Sequence, residues 1–273
     1  MPLLVCATPI GNLADVTVRV LECLAEVDLV LCEDTRQTRK LLQRYDIDAE
    51  LGSLDQHRER ARVPALLSRL EAGESIALVS DAGLPGLNDP GRELISAAQA
   101  AGIEVSVLPG PTAIATALVV SGLVADRFTF VGFVPRREGA RLELWQESAA
   151  WDWPLVAFES PRRLPSTLAS LASFDAVREV VVCRELTKVH EEVVRGSASE
   201  LAARFSEAPK GEITLVVGPA TSRSSPDTAA ALEAVAELVR AGIGRRQAAR
   251  LISKLTGVGA NELYRGSLAG PAE

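Results

Sequence analysis

The sequence predicts an α/β protein made of two strand–helix series and a small helical tail, and three observations carry that reading. Short apolar runs alternate with helical periodicities from Leu3 to about Gly132, which gives a mostly parallel sheet with helices on its faces. The polar, breaker-rich stretch Gly132–Gly139 ends this series, and a second one follows. The Ser/Pro segment Pro219–Pro226 then reads as a linker to three helical patterns. The expected domains are residues 1–132, 133–220 and 226–270.

In the first series the apolar runs predict strands at Leu3–Ala7, Leu29–Cys32, Ser75–Val79, Glu104–Leu108 and Thr129–Val131. Helices are predicted at Asp15–Ala25, Thr35–Tyr45, Arg58–Ala72, Pro90–Ala101 and Thr112–Ser121. Asp15 and Asp89 stand where N-caps belong, the latter before a proline suited to a first helical turn. Gly102 is placed as a helix stop. The second series predicts strands at Leu155–Glu159, Glu179–Arg184, Glu191–Arg195 and Glu212–Val217, with helices at Arg163–Ser173 and Ala198–Ala208. A hairpin between the second and third of these strands would make that sheet mixed. The tail predicts helices at Asp227–Ala241, Arg245–Thr256 and Ala260–Leu268.

Composition narrows the function classes. With 47% hydrophobic and 24% charged residues over 273 positions, the chain reads as an ordinary globular protein. No apolar run approaches the roughly 20 residues of a membrane span. The N-terminus enters a strand-like run without a basic leader, so a cytoplasmic protein is expected. Cys6, Cys23, Cys32 and Cys183 show no metal spacing, and only His57 and His190 could add ligands, so no metal site is expected. The net charge of −7 argues against indiscriminate nucleic-acid binding. The segment from Arg240 to Arg265 departs from it, with six basic residues against Glu262 alone, a local net of +5.

Two loops point to a ligand. Ser80–Gly91 and Pro109–Ala113 are dense in glycine and proline, and each joins a predicted strand to a predicted helix. Loops at the C-terminal ends of neighbouring strands are where an open α/β sheet holds its ligand. Neither G-x-G-x-x-G nor G-K-[ST] is present, which argues against a nicotinamide cofactor or ATP.

Six segments occur in order: Thr8-Pro-Ile-Gly-Asn-Leu13, Cys32-Glu-Asp-Thr-Arg-Gln-Thr38, Ser80-Asp-Ala-Gly-Leu-Pro85 with Asp89-Pro-Gly91, Pro109-Gly-Pro-Thr-Ala113, Phe158-Glu-Ser-Pro-Arg-Arg163 and Gly211-Glu-Ile-Thr214. Together they resemble the ribosomal RNA small subunit methyltransferase I family, of the tetrapyrrole-methylase-like class. The resemblance implies two α/β domains with S-adenosylmethionine bound in the cleft between them. It implies methyl transfer to the ribose 2′-oxygen of a cytidine in the decoding region of 16S rRNA, within the small ribosomal subunit, by a homodimer. By motif position, donor contacts fall to Ile10, Asp81, Leu84, Thr112, Ala113, Phe158, Leu186 and Ile213.

A ribose hydroxyl is a poor nucleophile unless its proton is removed or its lone pair is well aimed. Glu33, Asp34 and Glu159 are the candidate carboxylates, each with a second reading as a helix cap or as a partner of the arginines beside it. For RNA phosphates the candidates are Arg36, Arg136, Arg137 and Arg162 around the proposed cleft. Arg245, Arg246, Arg250 and Lys254 join them from the tail. Two alternatives remain open at this point. One is a tetrapyrrole or diphthine-type methyltransferase of the same fold; the other is a non-catalytic RNA-binding assembly factor.

Overall fold

The first sheet runs β3-β2-β4-β1-β5 with every neighbouring pair parallel. Its strands are β1 (Leu3–Cys6), β2 (Leu29–Cys32), β3 (Leu51–Ser53), β4 (Ile76–Val79) and β5 (Val105–Leu108). Five helices alternate with them: α1 (Val18–Glu26), α2 (Thr35–Arg44), α3 (Glu59–Glu71), α4 (Arg92–Ala100) and α5 (Ala113–Ser121). The computed structural model describes residues 2–55, 58–86, 88–220, 228–256 and 258–268. His57, most of the 219–226 linker and Asp227 lie outside these residues.

β2 and β4 are buried at every position. That is why they read as unbroken apolar runs: helices cover both faces of a parallel sheet. One face packs Leu3, Val5, Leu31 and Leu78 against α3 and α4, and the other packs Cys6, Val30, Cys32 and Val79 against α1 and α2. β3 was not predicted. It is a three-residue edge strand containing Gly52, too short and too weakly apolar to leave a periodic signal.

The second sheet runs β6-β7-β10-β8-β9 and is mixed. It comprises β6 (Thr129–Phe133), β7 (Leu155–Glu159), β8 (Glu179–Arg184), β9 (Glu192–Ser197) and β10 (Ile213–Val217). β6 and β7 are parallel, the other pairs are antiparallel, and β8 and β9 form the anticipated hairpin. Here the faces alternate with the pleat. Leu155, Ala157, Val180, Val182, Leu215 and Val217 face α6 (Glu138–Ser148), α7 (Leu164–Phe174) and α8 (Ala198–Arg204). Val156, Val181, Cys183 and Val216 face Ala117 and Leu118 of α5. The last helix of the first series therefore packs on the second sheet.

Several sequence expectations need correction. β6 pairs with β7, so the expected boundary at residue 132 falls inside a strand of the second sheet. Residues Met1–Pro219 form one compact unit and Ala220–Glu273 another. Helix α6 occupies a stretch read as a breaker-rich boundary and its sequel. Its buried face includes Arg141, whose stem can lie along apolar surface while its head bonds Glu138 and Ser166. Asp15 is not the cap of α1. A 3₁₀ turn at Leu13–Asp15 intervenes, capped by Asn12, and Thr17 caps α1 through Val20 N–H at 3.3 Å.

The Asp89-Pro90 reading fails in a more informative way. α4 begins at Arg92 behind Gly91, whose φ of +117° suits glycine. Its free N–H groups are taken by Glu59 of α3, which accepts from Glu93 at 2.8 Å and Leu94 at 3.0 Å. Asp89 is thereby released from capping.

The tail unit, taken by itself, holds α9 (Thr228–Arg240), α10 (Arg245–Thr256) and α11 (Ala260–Gly266). Val235, Ala248, Ala249, Ile252, Val258 and Leu263 form its core.

Candidate active site

Parallel pairing brings the loops after β1, β2, β4 and β5 to one edge of the first sheet. Two of them are stitched together: Thr8 and Gly83 exchange backbone hydrogen bonds at 2.8 and 3.0 Å, and the Thr8 hydroxyl donates to Ser80 O at 2.9 Å. Above this edge, between the two sheets, lies a cavity of about 460 Å³. Ile10, Leu84, Thr112 and Ala113 line it from the first sheet, and Phe158, Leu186 and Ile213 from the second. Seven of the eight residues assigned to the donor by motif position thus share one cavity.

The eighth, Asp81, does not line it. Its Oδ1 instead accepts the Asp34 N–H at 3.0 Å, tying the loop after β4 to the loop after β2. Thr112 stands at the N-cap of α5, yet its side chain makes no capping bond there. Leu186 is flanked by Glu185 (φ +52°) and Thr187 (φ +66°), two side-chain-bearing residues in the left-handed region. Backbone held this way concentrates at binding sites because the surrounding structure must enforce it. Cys183 also lines the cavity, and burial pushes its thiol up to about 12, so it stays neutral. All four cysteines are buried and free.

The second-sheet wall has an aromatic edge. The Phe158 ring meets Phe130 at 5.0 Å and Phe133 at 5.6 Å, both edge-on. Phe133 lines the cavity and keeps 53% of its surface exposed.

The candidate carboxylates separate by environment. Asp34 caps α2 through Arg36 N–H at 2.8 Å and binds the Arg36 guanidinium, which holds its carboxyl down at about 2. Its structural reading is the one the geometry realises, and neither Asp34 nor Glu33 lines the cavity. Partial burial and the neighbouring Asp81, Asp34 and Asp55 push Glu33 up. Glu159 does line the cavity, but its side chain is fully buried and engaged by Ser160 N–H, Thr167 and Arg163. The residue missed in the sequence is Asp89, which lines the cavity and is pushed up to about 7 by burial and by the charges of Glu33 and Asp81. A helix-capping signature beside a proline concealed it.

Of the basic candidates, Arg136, Arg137 and Arg162 are exposed. Arg36 is exposed but committed to Asp34. In the tail, Arg245 bonds the Ser267 carbonyl and Arg246 lies over the Tyr264 ring at 5.6 Å, whereas Arg250 and Lys254 are exposed.

Comparison with known proteins adds the chemistry. Residues 2–202 match the family model for tetrapyrrole (corrin/porphyrin) methylases. A Ribosomal RNA small subunit methyltransferase I from Synechocystis sp. is 43% identical over 266 residues, covering 96% of this chain and 95% of the relative. The chain belongs to the ribosomal RNA small subunit methyltransferase I family. Its member from Thermotoga maritima is also 43% identical, over 216 residues that cover 79% of this chain and 97% of the relative. Among solved structures, a diphthine synthase superposes with a TM-score of 0.64 at 16% identity, covering 79% of this chain and 90% of that one. That similarity concerns the fold alone. The full-length relatives favour an RNA methyltransferase over the tetrapyrrole and diphthine alternatives.

Methyltransferases of this family imply S-adenosylmethionine as donor, and the cavity suits such a molecule. Gly83 and Gly211 keep positive φ at its rim and let main chain approach closely. The lining is largely apolar, as an adenine ring requires. Its charged residues are the carboxylates Asp89, Glu159 and Glu212, a sign compatible with a sulfonium. Among the described residues no His/Cys/Asp/Glu grouping could hold a metal ion.

Proposed function

We propose that the chain transfers a methyl group from S-adenosylmethionine to the ribose 2′-oxygen of a cytidine in the decoding region of 16S rRNA. The observation that carries this reading is the convergence of seven motif residues from two sheets on one cavity. The donor supplies an electrophilic methyl group. Ile10, Leu84, Ile213 and Leu186 would hold its apolar parts, and the main chain at Gly83 and Ala113 its polar ones. Holding donor and acceptor in line is itself a large part of the acceleration in such a displacement.

Phe133 offers the target nucleotide a stacking surface at the cavity mouth. Arg136, Arg137 and Arg162 supply cations for phosphates nearby. The tail serves RNA docking, and α10 supports this with Arg246, Arg250 and Lys254 in one i, i+4, i+8 row beside exposed Leu251 and Leu255. The Thermotoga relative is barely longer than the first compact unit, which fits an accessory role for the tail.

A cytoplasmic homodimer acting on the small subunit completes the proposal. α5 is apolar nearly all round, yet Val119 is exposed, as are Val120 and the following Val124 and Phe128. A helix of that composition is ordinarily covered. The decisive experiment supplies labelled donor and small subunits lacking the modification, then maps the label by mass spectrometry. Label on a cytidine ribose supports the function, and its absence from ribose overturns it.

A further inference from the structure

Beside the cavity a second groove, of about 360 Å³, opens between the loop after β4 and α4. Leu84, Pro85 and Gly86 form one wall. The other is a single face of α4, since Arg92, Ile95, Ser96 and Gln99 recur at i, i+3, i+4 and i+7. Leu84 lines both spaces, so the groove adjoins the cavity through one residue. Gly86 holds φ at +86°, and a Cβ there would stand 3.5 Å from the Ile95 side chain, so the main chain of the loop rests on the helix.

The polar side chains of this face are uncommitted. Arg92, Ser96 and Gln99 are exposed, and among the described residues none of the three has a side-chain hydrogen bond or ion pair. Other helical serines, Ser68 and Ser173, return their hydroxyls to the carbonyl four residues back at 3.1 and 2.9 Å, and Ser96 does not. Glu59 already accepts from the N-terminus of α4, which leaves recognition to the side chains. The neighbouring Glu93 does not line the groove.

We propose that this groove holds the nucleotide next to the one being methylated, with Arg92 on its phosphate and Ser96 and Gln99 on its ribose hydroxyl. The proposal rests on the RNA substrate proposed above and names where that RNA runs once it leaves the cavity. A strand must continue on at least one side of its target nucleotide, and a groove that shares a wall with the cavity is reached by the next link of the chain. A phosphate calls for a cation free of carboxylates, and Arg92 offers one in a planar fork. Leu84, Pro85 and Ile95 give apolar surface to a base or sugar face. The Ser96 hydroxyl and the Gln99 amide each donate and accept, as does the 2′-hydroxyl that distinguishes RNA.

The test measures binding of the full-length protein to small subunits lacking the modification, by filter retention across a salt series, and so needs no methyl transfer. Arg92→Ala should weaken binding about tenfold, as loss of a charged hydrogen bond does. It should also lower the log–log salt slope by about 0.7, the share of one phosphate on a single strand. Arg19→Ala removes an exposed arginine of α1 outside the groove and should leave the slope unchanged. Ser96→Phe fills the groove while keeping every charge, and should weaken binding with the slope retained. Calorimetry of Arg92→Ala should return the wild-type donor affinity. Wild-type binding in Ser96→Phe, or equal slope losses in Arg92→Ala and Arg19→Ala, overturns the inference and leaves the proposed function intact. A changed sedimentation coefficient with RNA affinity unaltered also overturns it, by making the groove a contact between copies. Subunits that wild type binds but does not label on ribose overturn the function instead.

Discussion

The backbone N–H of Asn12 donates to the hydroxyl of Thr187 at 3.0 Å, joining residues 175 positions apart. Asn12 lies in the loop after β1 and Thr187 in the loop between β8 and β9. This bond ties the two walls of the cavity beside Leu186. It depends on a β-branched residue at φ +66°, an uncommon and strained conformation.

Thr187→Val keeps the shape and removes the acceptor. A net loss of about 1 kcal/mol is expected for one hydrogen bond. The loss should appear as weaker donor binding in calorimetry, because the bond positions a cavity wall. A melting temperature that falls with donor affinity unchanged would assign the bond to folding alone.

Glu159 anchors three groups with its side chain fully buried, and Glu159→Ala would strand the Arg163 guanidinium. Breaking a buried pair costs about 3–5 kcal/mol, and the partial exposure of Arg163 places this case at the low end. Urea denaturation with a lowered midpoint and an unchanged slope would match that account.

Gly91 combines a φ of +117° with close contact to the Leu78 side chain, which a Cβ would overlap. Gly91→Ala adds backbone strain to overpacking in the first-sheet core, together about 2–4 kcal/mol. Far-UV dichroism during heating would register the loss, whereas Gly73→Ala, with open space around it, should lose only the strain.

Asp89 also shapes stability against pH. Its folded-state value of about 7 lies above that of an unfolded aspartate, near 3.9, so the folded form holds the proton more tightly. The resulting stability is fully present below about pH 4 and is lost as pH rises through 7. Asp89→Asn should therefore melt higher than wild type at pH 8 and close to it at pH 4. Parallel melting curves at all pH values would contradict the assigned environment.

In the tail, replacing Arg246, Arg250 and Lys254 together with alanine should flatten the salt dependence of RNA binding by about two to three in log–log slope. Donor binding should not change. An unaltered slope would remove this face from the RNA contact.

The residues that were legible share one property: their surroundings impose a pattern on neighbours in sequence. β2 and β4 announce themselves because burial on two faces demands four apolar residues in a row. The loops at the cavity edge were legible because close backbone approach selects glycine. α6 was not, since its buried face includes Arg141, a residue that counts as polar in any periodicity. Asp89 was misread because a cap supplied from a distant helix, by Glu59, leaves no trace beside the helix it caps. Long-range satisfaction of a local need is invisible to local patterns.

The cavity wall has one further consequence. Ile10 and Ile213 face one space from opposite ends of the first compact unit's sequence. Any molecule that fills this space is a reversible crosslink across some two hundred residues of chain. Its binding energy is then also folding energy, rising with the logarithm of donor concentration. The concentration of whatever fills the cavity thus bears on how much of the chain is folded as well as on how much of it is occupied.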